Sequence, residues 1–438
     1  MQSRDYPLVG PEWAPSPDEP PRRPQRWLGF AGAGTLIAVG YMDPGNWATA
    51  IAGGARYGYT LLSVVLLSSM MALLLQWLAA RVGLVTGRDL AQLSRSQYSR
   101  RTSLALWALC EIAIIACDLA EIIGSAVALQ LLFGLSLPVG VLLAGALAFA
   151  MLGLQGFGQR RLEGAVAALI LLTAGCFAAQ LALANPDWGA ALAGMRPRSE
   201  IVVQAGMLWL ATGILGATVM PHNLYLHSAL LRMRGEAMPE RTPATMTRAL
   251  RATQWDTTLS LGLAFLINAA LLILAAAVFH ASGNTGVESL GDAHKMLAPL
   301  LGNQWAGVMF AVALLACGLN STVTATLAGQ VTMEGFLNLR MKPWQRALIT
   351  RGLALIPALL IVGHGGEAQT TNLLIFSQVV LSLQLPFAVV PLVRFAGDAK
   401  LMGQWRVRGL LLALAWVIAA AIVALNGVLL WQTMTGQG

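Results

Sequence analysis

The chain has 438 residues, 57% of them hydrophobic and only 11% charged, which is too little polar surface to cover a soluble globule of that size. A net charge of +8 would suit nucleic acid only if the basic residues formed a patch, and they fall instead in short segments between apolar runs. What remains is an integral membrane protein, with a lipid bilayer as its surroundings and no nucleic-acid partner.

In chain order, residues 1–26 are polar and Pro-rich, carry Arg22, Arg23 and Arg26, and lack an apolar signal core. They read as a disordered cytoplasmic tail that is not cleaved. Residues 27–438 read as one transmembrane domain. Its spans are Leu28 to about Ala55 (interrupted), Leu61 to Leu78, Leu104 to Phe133, Leu137 to Leu154, Leu162 to Leu183 and Ile201 to Leu231 (interrupted). Thr258 to Phe279, Trp305 to Leu327, Leu348 to Val362, Leu373 to Val393 and Gly409 to Leu430 follow. Most reach or approach the roughly 20 residues that cross about 30 Å of hydrocarbon as a helix.

Eleven spans with the N-terminus inside put the segments Arg88 to Arg101, Arg160 to Arg161, Arg232 to Arg251, Arg340 to Arg351 and Arg394 to Arg408 on the cytoplasmic side. Only Arg56, Arg196, Arg198 and Lys295 then lie outside, so 24 of the 28 basic residues share one side, as the positive-inside rule requires. The C-terminus is expected outside, and the membrane to be the inner, cell membrane. Cys110, Cys117, Cys176 and Cys317 all sit in apolar spans without Cys-x-x-Cys spacing, and read as small buried hydrophobes.

Two spans are interrupted, five apart. The first breaks at Asp43-Pro44-Gly45-Asn46 and the sixth around Thr218-Val219-Met220-Pro221, where proline removes a helical donor and bars the preceding residue from helical geometry. Either break alone reads as a proline kink, common in membrane helices. Matched breaks in corresponding halves, at an odd offset that inverts one half on the other, point to an inverted-repeat transporter with its site near the midplane.

Asp43 is a carboxylate inside a span, at a cost of about 2.5–3.5 kcal/mol. A divalent cation would compensate it, with carbonyls of the unwound backbone at Gly40 and Ala217 and the amide of Asn46 as further oxygen ligands. Met220 is packing or a ligand; as a ligand, its soft thioether suits Mn²⁺, Fe²⁺ or Cd²⁺ better than Mg²⁺ or Ca²⁺. His222 and His227 follow in the same span, as structural histidines or proton carriers, and His222 is preferred for its place beside Met220. Glu111, Asp118 and Glu121 share one span at i, i+7 and i+10, which reads as a proton relay or as partners for buried cations. Arg346 is a candidate partner for that relay or an interfacial arginine snorkelling to headgroups. Asn268 and Gln378 are amides in apolar spans, where either could be interhelical glue.

With these residues placed, the chain resembles the Nramp (natural resistance-associated macrophage protein) family of divalent metal transporters, in its bacterial manganese-importer branch. The motifs are Gly40-Tyr41-Met42-Asp43-Pro44-Gly45-Asn46, Asp118-Leu119-Ala120-Glu121, Met220-Pro221-His222-Asn223, and a segment Ala328 to Phe336 similar to the family's transport signature. The resemblance implies an all-α LeuT-like five-plus-five inverted repeat, with repeat one at about 27–184, repeat two at about 201–394 and an accessory eleventh helix at about 409–430. It implies Asp43, Asn46, Met220 and broken-helix carbonyls as metal ligands, Gln378 approaching the ion in an occluded state, and His222, Glu111, Asp118, Glu121 and Arg346 in the proton pathway. Two positions depart from the family pattern. Gln345 and Ala347 flank Arg346 where some members have paired arginines, and Gly29-Phe30 replaces a glycine-proline pair.

The expected function is therefore proton-coupled import of Mn²⁺, also Fe²⁺ or Cd²⁺, by alternating access, in a monomer with no cofactor and no enzyme activity. The alternatives are a LeuT-type carrier for another substrate such as an amino acid, and an uncoupled metal uniporter. An amino-acid carrier would have a glycine-rich first break without a carboxylate at Asp43. A membrane metalloenzyme would need a cluster such as His-Glu-x-x-His, which the sequence lacks.

Overall fold

The computed structural model describes residues 32–154, 159–238, 240–287, 289–339 and 341–435; the expected tail, together with Leu28, Gly29 and Phe30, lies outside them. Among the described residues all regular structure is helical. The first span is α1 (Ala33–Gly40) and α2 (Pro44–Tyr57) on either side of an unwound segment. Pro44 has no N–H to leave unsatisfied and so suits the first helical position, while extended Asp43 caps α2 through the backbone N–H of Asn46. At its other end α1 is held by Asp256, whose carboxylate accepts from the backbone N–H groups of Gly32 at 3.1 Å and Gly34 at 2.7 Å. A carboxylate is the favourable partner for a helix N-terminus.

Next come α3 (Leu62–Thr86), the short amphipathic α4 (Leu90–Gln97) started by an Asp89–Gln92 capping box, α5 (Arg100–Phe133), α6 (Leu137–Leu154) and α7 (Gln159–Ala184). Short α8 (Trp188–Gly194) and α9 (Glu200–Val203) lead into the sixth span, α10 (Ala205–Thr218) and α11 (Pro221–Glu236), broken at Val219 and Met220 with Pro221 again at the first helical position. After it run α12 (Pro243–Ala275), continued by one π turn to His280, then α13 (Leu290–Leu301) and α14 (Trp305–Leu337). The chain ends with α15 (Pro343–Gly397), α16 (Ala399–Met402) and α17 (Gly409–Met434).

One expectation needs correction. Helix α12 begins at Pro243, well before Thr258, because Thr242 caps it and a polar helical turn costs nothing once the chain has left hydrocarbon. His280 lies in the π turn and His294 in α13. Spans nine and ten, the apolar stretches Leu348–Val362 and Thr370–Gly397, lie within one continuous helical assignment 55 residues long. At about 1.5 Å per residue a straight helix of that length would be more than twice as long as a bilayer is thick. The run instead doubles back along α5. Arg346 meets Glu111, Thr370 and Thr371 share a cleft with Val127 and Gln130, and Phe395 stacks on Tyr98 just before α5 begins. Two antiparallel passages result, as eleven spans require.

Among the described residues, seven stretches are long and apolar enough to cross a membrane, and Leu137–Ala150 and Leu348–Val362 add two shorter apolar ones. The broken sixth span escapes a length test because its halves are 14 and 16 residues. Helices α5 and α14 run through the middle, with α2 locked against α7 and α14 by Trp47, whose ring centre lies 4.9 Å from Phe177 and 5.1 Å from Phe310. Helices α6, α7 and α17 turn Leu142, Leu171, Leu410, Val417 and Trp431 outward. Apolar surface of that extent belongs against lipid or a partner. Helix α17 is tied to α15 by a buried reciprocal pair: Asn426 Nδ2 donates to the Ser382 carbonyl at 2.9 Å, and the Ser382 hydroxyl donates to Asn426 Oδ1 at 3.0 Å.

Candidate functional site

The two breaks meet in the middle of the bundle. Asn46, in the first turn of α2, directs Nδ2 at Asp43 Oδ1 (2.8 Å), the Tyr41 carbonyl (3.1 Å) and the Ala217 carbonyl (3.1 Å). An amide has two N–H donors, so three acceptors around it leave one lone pair in surplus. Asp43 Oδ1 also takes the backbone N–H of Asn46 at 3.0 Å, and Oδ2 takes Gln378 Nε2 at 3.2 Å. Asn268 donates to the same Tyr41 carbonyl at 2.7 Å. Asp43 is fully buried, and its partners among the described residues are amides rather than cations. A buried carboxyl held by neutral donors, beside unwound carbonyls, has the chemistry to hold a cation.

Gln378 reaches Asp43 because two close approaches permit it. A Cβ on Gly45 would lie 1.8 Å from Gln378 Nε2, and one on Gly216 would lie 2.0 Å from the Gln378 carbonyl. Of the unwound carbonyls in the first break, Tyr41 carries the amide contacts, while Gly40 closes α1 and packs on Asn223. Met220 caps the second break, wholly buried among Ala113, Cys117, Ala325 and Leu381, and receives Asn223 Nδ2 on its sulfur at 3.5 Å.

His222 is fully buried with neither ring nitrogen hydrogen-bonded. His227 is engaged: its Nδ1 donates to Gln76 Oε1 at 2.8 Å, and Gln76 Nε2 donates to the Tyr41 hydroxyl at 2.8 Å. That chain joins α11 and α3 to the first break. Along α5, Glu111 pairs with Arg346, Asp118 is hydrogen-bonded by Thr350, and Glu121 accepts from the Cys117 thiol at 3.7 Å and from Ser321. Asp118 Oδ1 and Glu121 Oε2 are buried without a hydrogen-bond partner.

Sequence reasoning missed Arg351, assigning it to a cytoplasmic loop. It is 2% exposed inside α15, bonds the Thr322 carbonyl and the Thr326 hydroxyl, and exerts its charge on both Asp118 and Glu121. The available signal was Pro343: a helix starting there carries Arg351 two turns inward, past Leu348 and Ile349. Arg346, also buried, is a partner of Glu111 rather than an arginine reaching for headgroups. Tyr41, Gln76 and Asn223 were overlooked because an amide or a carbonyl in an apolar run looks the same whether it bonds a neighbour or a site.

Set beside known proteins, residues 34–432 match the family described as "Nramp: Natural resistance-associated macrophage protein-like". A "Divalent metal cation transporter MntH" of Xanthomonas campestris is 56% identical over 94% of this chain and 92% of its own length. One of the same name from Bradyrhizobium diazoefficiens is 54% identical, over 94% and 91%. A crystal structure of an Eremococcus coleocola manganese transporter superposes with a TM-score of 0.84 at 39% identity, covering 91% of this chain and 85% of that one. More distant structures share the fold alone. MhsT, at a TM-score of 0.62 and 15% identity over 93% of this chain and all of its own, and closed Mhp1, at 0.61 and 14% over 98% and 97%, share the LeuT-like fold.

Proposed function

The chain belongs to the Nramp family, and from that premise we propose that it imports divalent transition-metal cations, Mn²⁺ and also Fe²⁺ or Cd²⁺, together with protons. One observation carries the reading: Asn46 bonds Asp43 on one broken helix and the Ala217 carbonyl on the other, so two unwound segments share a single polar junction. The cation takes Asp43, Asn46, Met220 and carbonyls at Ala217 and Gly40 as ligands, and Gln378 closes over it. Swinging of α1 and α10 against the remaining helices exposes that junction first to one side and then to the other.

Protons travel from Asp43 or His222 to Asp118 and Glu121, and leave past Glu111 and Arg346, with Arg351 holding the charge of the middle pair. An inside-negative potential assists at about 2.3 kcal/mol per charge per 100 mV. Repeat one spans about residues 27–184 and repeat two about 201–394, with 409–430 as the accessory helix. The protein works as a monomer in the inner, cell membrane, its N-terminus cytoplasmic and its C-terminus outside.

The test is uptake by proteoliposomes at controlled internal and external pH. Mn²⁺ uptake that acidifies the lumen is expected from the unsubstituted protein and none from Asp43→Ala; Met220→Ala should retain some Mn²⁺ flux while admitting Ca²⁺. Full uptake by Asp43→Ala, or unchanged selectivity in Met220→Ala, would sink the ligand assignment.

A further inference from the structure

The first turn of α11 holds a contact that none of the ligand or proton roles above uses. Met220 caps the helix and Asn223 stands three residues on, with its backbone N–H on the Met220 carbonyl at 3.2 Å. That spacing brings a side chain at the third position back over the cap residue, the geometry in which helix caps usually exchange polar contacts. Here the cap residue offers a thioether, and Asn223 Nδ2 donates to its sulfur at 3.5 Å. The other end of the amide, Oδ1, is buried with no hydrogen-bond partner. Asn223 also touches the opposite break: a Cβ on Gly40, the last residue of α1, would lie 2.2 Å from Nδ2.

We propose that Asn223 is a positioning residue for the Met220 sulfur, fixing one lone pair of the thioether so that the other faces the cation, while its free Oδ1 accepts a hydrogen from water the cation carries. The proposal rests on the transport reading above and adds a residue to its selectivity. A methionine has three rotatable bonds and a sulfur with little directional preference, so a thioether left to itself spreads over several positions. An N–H on one lone pair removes that freedom and leaves the soft ligand presented on one side. Partners that orient a metal ligand are worth about 10- to 100-fold in affinity at strong sites. A single neutral hydrogen bond to a weak ligand should give less, about fivefold.

The experiment is uptake of Cd²⁺ and Mn²⁺ by proteoliposomes containing the full-length protein, with Asn223→Leu made in the natural background and in Met220→Ala. Cd²⁺ depends most on sulfur, so Asn223→Leu should raise its KM about fivefold and that of Mn²⁺ by less. In Met220→Ala the same substitution should leave the ratio of the two KM values unchanged. Should Asn223→Leu not fold, as judged by size exclusion, Asn223→Ala takes its place. A purely packing role would raise both KM values by the same factor in both backgrounds, and that result overturns the proposal. Absence of Cd²⁺ and Mn²⁺ uptake by the unsubstituted protein would instead overturn the transport reading itself.

Discussion

At the scale of single residues, the buried charges carry the sharpest consequences. Glu111 and Arg346 pair in the interior, their side chains 13% and 5% exposed. Removing one partner of such a pair strands the other in a medium that cannot solvate it, at about 3–5 kcal/mol, whereas replacing both costs far less. Glu111→Gln and Arg346→Met should each lower the thermal unfolding temperature of the purified protein, and the double substitution should recover most of the loss. Additive losses would mean the two groups do not depend on one another. Asp43 differs in kind, because its hydrogen-bond partners among the described residues are amides rather than a cationic side chain.

At the scale of elements, the site depends on how closely α10 approaches α15. A Cβ on Gly216 would meet the Gln378 carbonyl at 2.0 Å and the Ser382 backbone nitrogen at 2.7 Å, and backbone cannot swing aside as a side-chain tip can. Gly216→Ala should therefore force the helices apart and destabilise the protein by about 1–3 kcal/mol. Gly427→Ala, on the exposed face of α17 with nothing within 4 Å, should leave the unfolding temperature unchanged or raise it. Comparing the two in the same detergent checks that the loss comes from the crossing rather than from helix propensity. Ser382 also binds Asn426, so the eleventh helix grips α15 at the level where α15 meets the second break.

At the scale of the whole molecule, the expected orientation rests on the basic residues. Among the described ones outside the spans, Arg88, Arg95, Arg100, Arg101, Arg394 and Lys400 gather at the end where Phe395 stacks on Tyr98 and the Arg394 guanidinium lies over the same ring. Arg346 and Arg351 leave that tally, since they neutralise carboxylates inside the bundle rather than face headgroups. The remaining asymmetry still predicts that the basic end faces the cytoplasm, and the expected eleven crossings then leave the C-terminus outside. Alkaline phosphatase fused after Gly438 should be active in bacterial cells, and green fluorescent protein at the same place should be dark. The reverse pattern would invert the topology and with it the direction assigned to transport.

What the sequence determined by itself is whatever depends on neighbours along the chain. Apolar run length set the number of spans, Pro44 and Pro221 set the two breaks, Asp43 stood out as a carboxylate foreign to a membrane helix, and Met220 drew notice only by its place at the second break. Those features follow from local sterics and from the cost of polar groups in hydrocarbon, and both can be read residue by residue. Only the tertiary structure decided that Asn46 spans both breaks, that spans nine and ten pack along α5, and that Arg351 stands against Asp118 and Glu121. The reason is that a hydrogen bond or an ion pair between helices reflects their rotation and depth against one another, and these are fixed by the packing of distant segments. The same arginine written in the sequence serves a headgroup or a buried carboxylate, according to which helix the fold lays beside it.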